Sequence, residues 1–471
     1  MYMENLNARA LQDEAARALP NRLTLTVLAA LSIPLTSAAL PAAVYLPPVY
    51  AERVGLGMVG LVFMLTRILD AASDPLIGLL SDRTVTRFGR RKPWIAAGAP
   101  IFILATAAIF APGLFGVRPN LVWLAAWLSV FYLGLTMVQI PYWAWAGELA
   151  DQYHQRSRVQ TFQTVAGAAG LLLVLVLPAL LDRIGAATGH PPAAADKLAL
   201  MGGFVILAFI PSVVLALACV KEPVTPARRP PARPSLGQDL KAVARDRLLL
   251  RVLASDFAVT LGQLIRSSLF VFFVSAYVGR PDLAAGLFLL QFVFGLFAAP
   301  IWLRVGYRLG KHQAAVAAEL TQAAINIGLL AVAPNAMPLL VALTIAQGLA
   351  QGSGNLMLRA MVSDLADRQR LESGRDRTGL LFAVFSLTMK AATAVAVGVA
   401  LPLIGHLGFH PGAANPPAVL ERLKLVFALG PALAHLASAA LIHNFPLNEA
   451  RHADIRRQLD LRGRAVAVPA E

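Results

Sequence analysis

One cysteine, Cys219, occurs in 471 residues, which excludes a disulfide framework and any cysteine-rich metal site. Charge is also scarce: Asp, Glu, Lys and Arg make up 14% of the chain, against about 25% in ordinary globular domains. The sequence has no phosphate-binding glycine loop, no His/Cys/Asp group at metal-ligand spacing and no nucleophile elbow. ATP-driven transport and enzymatic catalysis are therefore not expected, and no cofactor is implied. Residues 1–21 contain Glu4, Arg9, Asp13, Glu14 and Arg17 before any apolar run, so they read as a cytoplasmic segment and not as a cleavable signal peptide.

What the chain has is apolar surface, at 57% of all residues. A chain of that composition is solvated by lipid, and about twelve spans of roughly 20 residues fit its length. Uncharged runs predict an all-α membrane protein with a first half of six helices near Leu23–Tyr45, Met58–Leu80, Pro93–Phe115, Leu121–Glu148, Val159–Leu181 and Leu198–Val220. A second half follows near Leu253–Val278, Leu283–Leu303, Gln313–Ala333, Pro338–Leu358, Gly379–Ile404 and Leu425–Ile442. The expected organisation is an N-terminal segment 1–21, a first bundle 22–220, a Pro- and Arg-rich linker 221–251, a second bundle 252–442 and a cytoplasmic tail 443–471.

The net charge of +15 could suggest a nucleic-acid partner, but the basic residues lie in short segments between apolar runs. With an internal N-terminus, seven of the 41 Lys and Arg fall on the outer side and three inside spans, leaving 31 on the cytoplasmic side. That distribution obeys the positive-inside rule and places both termini in the cytoplasm. The bilayer is the expected partner, and no nucleic acid is. The segment Arg87-Phe88-Gly89-Arg90 after the second span is echoed by Arg308-Leu309-Gly310-Lys311 after the eighth. A six-helix repeat of this kind resembles the major facilitator fold, two bundles around a central cavity.

Charges inside spans mark positions with a purpose, because each costs at least about 2.5 kcal/mol to insert. In the second span Arg67, Asp70 and Asp74 fall on one helical face, with Ser73 beside them. Two readings stay open: a site for Na⁺ or a proton held by the two carboxylates, or a structural ion pair of Arg67 with Asp70. Lys390, deep in the eleventh span, could neutralise the acid pair when the cation is absent, or snorkel to an interface. In the fourth span Thr136, Gln139 and Trp143 share a face beside Pro141 and Tyr142, a cavity wall or a packing surface. Arg266 and Glu319 lie within spans without assigned partners, and His406 and His410 read as outer-loop residues.

The run from Arg67 through Asp70, Ser73, Asp74, Pro75, Gly78, Ser81, Asp82 and Arg83 to Gly89-Arg90-Arg91-Lys92-Pro93-Trp94 resembles the glycoside–pentoside–hexuronide:cation symporter family, as do Gln139-Ile140-Pro141-Tyr142-Trp143, Asp364, the segment from Gly379 to Lys390, and Pro446, Leu447, Ile455, Leu459 and Arg462 in the tail. The resemblance spans nearly the whole chain. It implies symport with Na⁺ or H⁺, a coupling-cation site at Asp70, Ser73, Asp74 and Thr136 (Asp70 and Asp74 being the metal ligands if the ion is Na⁺), and coupling through Lys390 and Arg67. Thr36, Gln139, Tyr142, Trp143 and Arg266 are the candidate substrate residues, and Asp82, Arg83, Gly89 and Arg90 a conformational latch.

Departures from the family pattern concern the sugar. The acid that the family's sugar carriers have on the first helix is missing from Asn21 to Ala51, their fourth-helix acid is Gln139 here, and an arginine of the fifth helix is Gln163 or Thr164. The expected cargo is a sugar, glycoside or uronide; an amphiphile such as a lysophospholipid, or a non-transporting assembly factor of the same fold, are the alternatives. A multi-pass monomer of a bacterial cytoplasmic membrane is the implied setting.

Overall fold

The structure is a computed structural model that describes residues 22–467, apart from 85, 150–152, 223–240, 242, 335, 376 and 448. Its regular elements among the described residues are all helices. The first predicted span is one apolar stretch, Arg22–Val54, made of three pieces: α1 (Arg22–Ala30), α2 (Ser32–Val44) and α3 (Leu46–Val54). Pro34 and Pro47 sit in the first turns of α2 and α3 and have no N–H to return to the preceding turn, which explains both breaks. Next come α4 (Leu56–Arg83), α5 (Lys92–Phe110), α6 (Leu121–Glu148), α7 (Tyr153–Thr188) and α8 (Ala194–Cys219). Asn120 starts α6 by accepting the Trp123 N–H through Oδ1 at 2.9 Å.

The second half contains α9 (Arg247–Phe272), α10 (Ala284–Gly295), α11 (Ala298–Leu309), α12 (Lys311–Gly328), α13 (Met337–Ala350), α14 (Ser353–Ser373), α15 (Thr378–His406), α16 (Pro417–Ile442) and α17 (Glu449–Ala467). Most of the linker lies outside the described residues, and α9 begins four residues before the linker's expected end. Asp246 sets that start, its Oδ1 accepting the N–H groups of Leu248 and Leu249 at 3.0 and 3.2 Å.

Ten of the described helical stretches are long and apolar enough to cross a membrane. An eleventh is the pair Pro281–Gly295 and Ala298–Leu309, bent by 41° where Pro300 in the first turn of α11 interrupts the ladder. The tenth predicted span departs from expectation. Pro338–Leu358 is not one helix: α13 stops at Gln351, Gly352 takes a left-handed φ of +72°, and α14 continues as a helix rich in charge. His406 ends α15 and is not a loop residue.

The chain forms two units. One comprises Met1–Leu46, Ala72–Leu181 and Pro192–Arg228; the other comprises Pro47–Ala71, Asp182–Pro191 and Arg229–Glu471. The division passes through α4 because its N-terminal half packs on α15, where a Cβ on Gly60 would lie 2.6 Å from Pro402 Cδ. In the first unit the Phe102 ring of α5 packs tilted against Phe131 of α6 at 5.4 Å and edge-on against Phe209 of α8 at 4.9 Å. In the second, Phe273 stacks on Phe427 at 4.3 Å, while Val252, Leu358, Leu365 and Leu381 are fully buried in a core of α9, α14 and α15. Leu65, Ile68, Leu69, Leu207 and Val214 are exposed, the surface that a hydrocarbon solvent covers.

Candidate functional site

α4 contains both acids of interest, one turn apart, and they fall in different units. In the second unit Asp70 is 8% exposed. Its Oδ2 lies 3.4 Å from Lys390 Nζ of α15 and 3.7 Å from Arg67 Nη1 on its own helix. Two cations thus converge on one carboxylate oxygen, and Lys390 is turned toward α4 and not snorkelling along its own helix. The close approach of α4 and α15 at Gly60 and at Gly398, where a Cβ would meet Met64, is what allows the lysine to reach.

In the first unit Asp74 Oδ1 accepts a hydrogen bond from Thr136 Oγ1 of α6 at 3.2 Å. Thr136 is buried, while Ser73 and Asp74 are half-buried. A carboxylate and a hydroxyl from facing helices are the oxygen ligands that a hard monovalent cation or a proton takes.

The candidate substrate residues are divided between the two units. Gln139 is half-buried and Trp143 is 53% exposed, on the same α6 face as Thr136. Tyr142 is fully buried, and its hydroxyl donates to the Leu28 carbonyl at 3.1 Å while accepting from Ser32 Oγ at 2.7 Å. That hydroxyl ties α6 to α1 and α2. Thr36 on α2 faces α7, where a Cβ on Gly167 would lie 2.8 Å from its Oγ1. Arg266 is buried in the second unit, donating to Asn326 Oδ1 at 3.0 Å and lying over the Phe427 ring at 5.3 Å.

The latch segment is built around Arg91, which sequence reasoning passed over. Its guanidinium pairs with Asp82 at 2.5 Å and Glu148 at 2.7 Å and donates to Ser81 Oγ. Burial opposes the charge on Arg91, but hydrogen bonds and attraction from Glu148 and Asp82 overcome it and raise the pKa above its ordinary value. Arg90 also reaches Glu148, at 3.3 Å. Glu222, just after α8, accepts the backbone N–H groups of Arg90, Arg91 and Lys92 at 2.6–3.2 Å and so caps α5. Gly89 has φ +105° and a Cβ there would collide with the Glu222 carboxylate, so glycine is required on both counts. Arg83 is exposed.

The second unit repeats the theme at the echoed segment. Lys311 pairs with Asp364 at 2.7 Å, His452 of α17 lies 3.4 Å from Asp364 and 3.1 Å from Asp367, and Arg456 reaches Asp367 at 3.4 Å. A cavity of about 330 Å³ lined by Tyr307, Gly310, Lys311, Asp364, Glu449 and His452 adjoins this network.

A family model described as MFS/sugar transport protein matches residues 28–449. The chain belongs to this family, the glycoside–pentoside–hexuronide:cation symporters. Among curated relatives of the family, the putative glycoside/cation symporter YagG of Escherichia coli (strain K12) is 25% identical over 419 residues, covering 87% of this chain and 88% of that protein. The glucuronide carrier protein homolog of the same organism is 25% identical over 427 residues, covering 89% and 91%. Among solved structures, the nucleoside transporter NupG matches with a TM-score of 0.59 at 11% identity, covering 89% of this chain and 98% of that one, and tetrameric PepTSo2 with 0.62 at 14%, covering 93% and 98%. These likenesses show the major facilitator fold, which the helix repeat and its glycine-and-arginine segments pointed to.

Proposed function

We propose that this family member is a secondary active symporter that couples Na⁺ or H⁺ movement to transport of a sugar, glycoside or uronide, leaving the solute chemically unchanged. It works by alternating access as a monomer in a bacterial cytoplasmic membrane, with both termini in the cytoplasm. Asp70 and Asp74, with Thr136 and Ser73, take the cation; Lys390 and Arg67 couple its arrival to rearrangement; Gln139 and Trp143, with Thr36, Tyr142 and Arg266 as further candidates, address the solute. Asp82, Arg83, Gly89 and Arg90, joined by Arg91, form the latch. The observation that carries the reading is Asp70 held by Lys390 from a distant helix, with Asp74 one turn on bonded to Thr136: expensive groups arranged so that a cation and a lysine compete.

The relatives are named as glycoside/cation, glucuronide and isoprimeverose carriers, which supports the cargo class. The test is thermal stabilisation of the purified protein across Na⁺, Li⁺ and pH, wild type against Asp74→Asn. Ligands that bind the folded state raise its apparent melting temperature by mass action. The expected result is a cation- or pH-dependent shift that the variant loses. Indifference of the wild type to every cation and to pH overturns the reading; a shift retained in Asp74→Asn removes Asp74 from the site.

A further inference from the structure

Inside the second unit, α9, α12, α14 and α16 pack around a polar group that the coupling-ion reading does not use. Glu319 of α12 and His435 of α16 are both fully buried, with His435 Nδ1 2.6 Å from Glu319 Oε2. Asp256 of α9 is fully buried as well, accepts from Asn355 Nδ2 of α14 at 2.9 Å, and is close enough to Glu319 for their charges to repel. A Cβ on Gly354 would collide with Glu319 Oε1, so the glycine makes room for the carboxyl. The outer atoms of all three groups, Asp256 Oδ2, Glu319 Oε1 and His435 Nε2, have no hydrogen-bond partner among the described residues. Among the other charged groups within these helices and the adjoining α15, Arg266 bonds Asn326, Arg251 bonds the Leu441 and His443 carbonyls, and Lys311, Arg368, Lys424 and Lys390 pair with Asp364, Asp246, Glu421 and Asp70.

Proton counting makes the arrangement specific. A neutral imidazole donating from Nδ1 to an ionised Glu319 leaves the pair at one negative charge, and an ionised Asp256 brings the cluster to two. Two unmatched charges in a dry, lipid-surrounded interior are strongly disfavoured. A proton added at His435 Nε2 or Glu319 Oε1 neutralises the pair without breaking the 2.6 Å bond, and another at Asp256 Oδ2 neutralises the cluster. These are the three atoms without partners. No group of three or more His, Cys, Asp or Glu among the described residues could hold a metal ion.

We infer that Asp256, Glu319 and His435 form a proton-binding site within the second unit, distinct from the Asp70 and Asp74 acids, whose members titrate as one coupled unit. This goes beyond the symport reading and does not rest on it, since the site binds its proton whichever ion drives transport. The test is infrared difference spectroscopy of the purified full chain between about pH 5 and 9, the range in which imidazole-linked sites exchange protons. The expected spectrum has a protonated-carboxyl band whose pH dependence accompanies imidazole ring bands, is weakened and displaced in pH in Glu319→Gln, where Asp256 is the carboxyl that remains, and persists unchanged in Asp74→Asn. Should Glu319→Gln fail to fold, Asp256→Asn and His435→Gln serve, each displacing the titration midpoint of the groups that remain. Wild-type bands that do not change with pH, or a titration identical in wild type and the cluster variants, overturn the proposal.

Discussion

At the scale of single residues, Asp70 is the centre of the charge balance. Lys390 and Arg67 both approach its Oδ2, the lysine at the shorter distance. If the lysine competes with the cation, Lys390→Gln removes the competitor, and half-maximal stabilisation should need about tenfold less cation, equivalent to about 1.4 kcal/mol. Coupled solute uptake should be lost in the same variant. Thermal shifts over a cation titration check this, and an unchanged or weaker affinity would assign Lys390 a purely structural part. Energetic expense made Arg67, Asp70, Asp74 and Lys390 stand out in the sequence, because a charge in an apolar run needs a partner or a purpose. The same argument applied to His435 and Asp256 would have found the buried cluster around Glu319; it passed over them because histidine counts as neutral and Asp256 lies close to a predicted helix end. Tyr142 shows another limit: helical spacing gives its position on α6 but not the partners Ser32 and Leu28, more than a hundred residues away.

Among the elements, packing of small residues decides which helices meet. A Cβ on Gly134 of α6 would lie 2.8 Å from the backbone nitrogen of Phe102 on α5, and backbone cannot step aside as a side chain can. Gly134→Ala should therefore destabilise the protein by roughly 1–3 kcal/mol, as overpacking does. Gly203 of α8 has no atom near its missing side chain, so Gly203→Ala should be neutral or stabilising by up to about 1 kcal/mol. Thermal unfolding should occur at a lower temperature in Gly134→Ala and at an unchanged or higher one in Gly203→Ala; equal shifts would mean that the α5–α6 contact is looser than described. Hydropathy located the spans well because the hydrocarbon imposes their length: α6 covers exactly the predicted residues 121–148. It failed at α13 and α14, where a run without charges between residues 338 and 358 hides the break that Gly352 makes through its backbone conformation. Hydropathy sees burial in lipid, and a turn within an apolar stretch leaves no mark on it.

Across the whole molecule, ionic networks recur at equivalent places in the two halves, around Arg91 in one and around Lys311, Asp364 and His452 in the other. The echo of glycine and basic residues made the positions legible, but the acids that answer them, Glu148, Glu222 and Asp367, come from elsewhere in the chain and carry no local signature. Asp246 belongs to this class. It starts α9 and binds Arg368 and Gln369 of α14 at 2.7 Å, and its side chain is 7% exposed. Burial alone would raise its pKa, but the Gln369 amide, the Leu249 N–H and the Arg368 charge outweigh burial and lower it below the ordinary 3.8. The native state therefore holds its proton less tightly than the unfolded chain. The resulting stabilisation is complete above the unfolded value near pH 4 and is lost as pH falls through the lower native value. Asp246→Asn keeps an oxygen for the Leu248 and Leu249 N–H groups but turns an amide toward Arg368, at a cost of about 1–3 kcal/mol. Melting temperatures of wild type and variant should thus differ by a constant amount from about pH 8 to 5 and converge below about pH 4. A gap that persists undiminished into acid would mean that Asp246 acts through the shape of the cap and not through its charge.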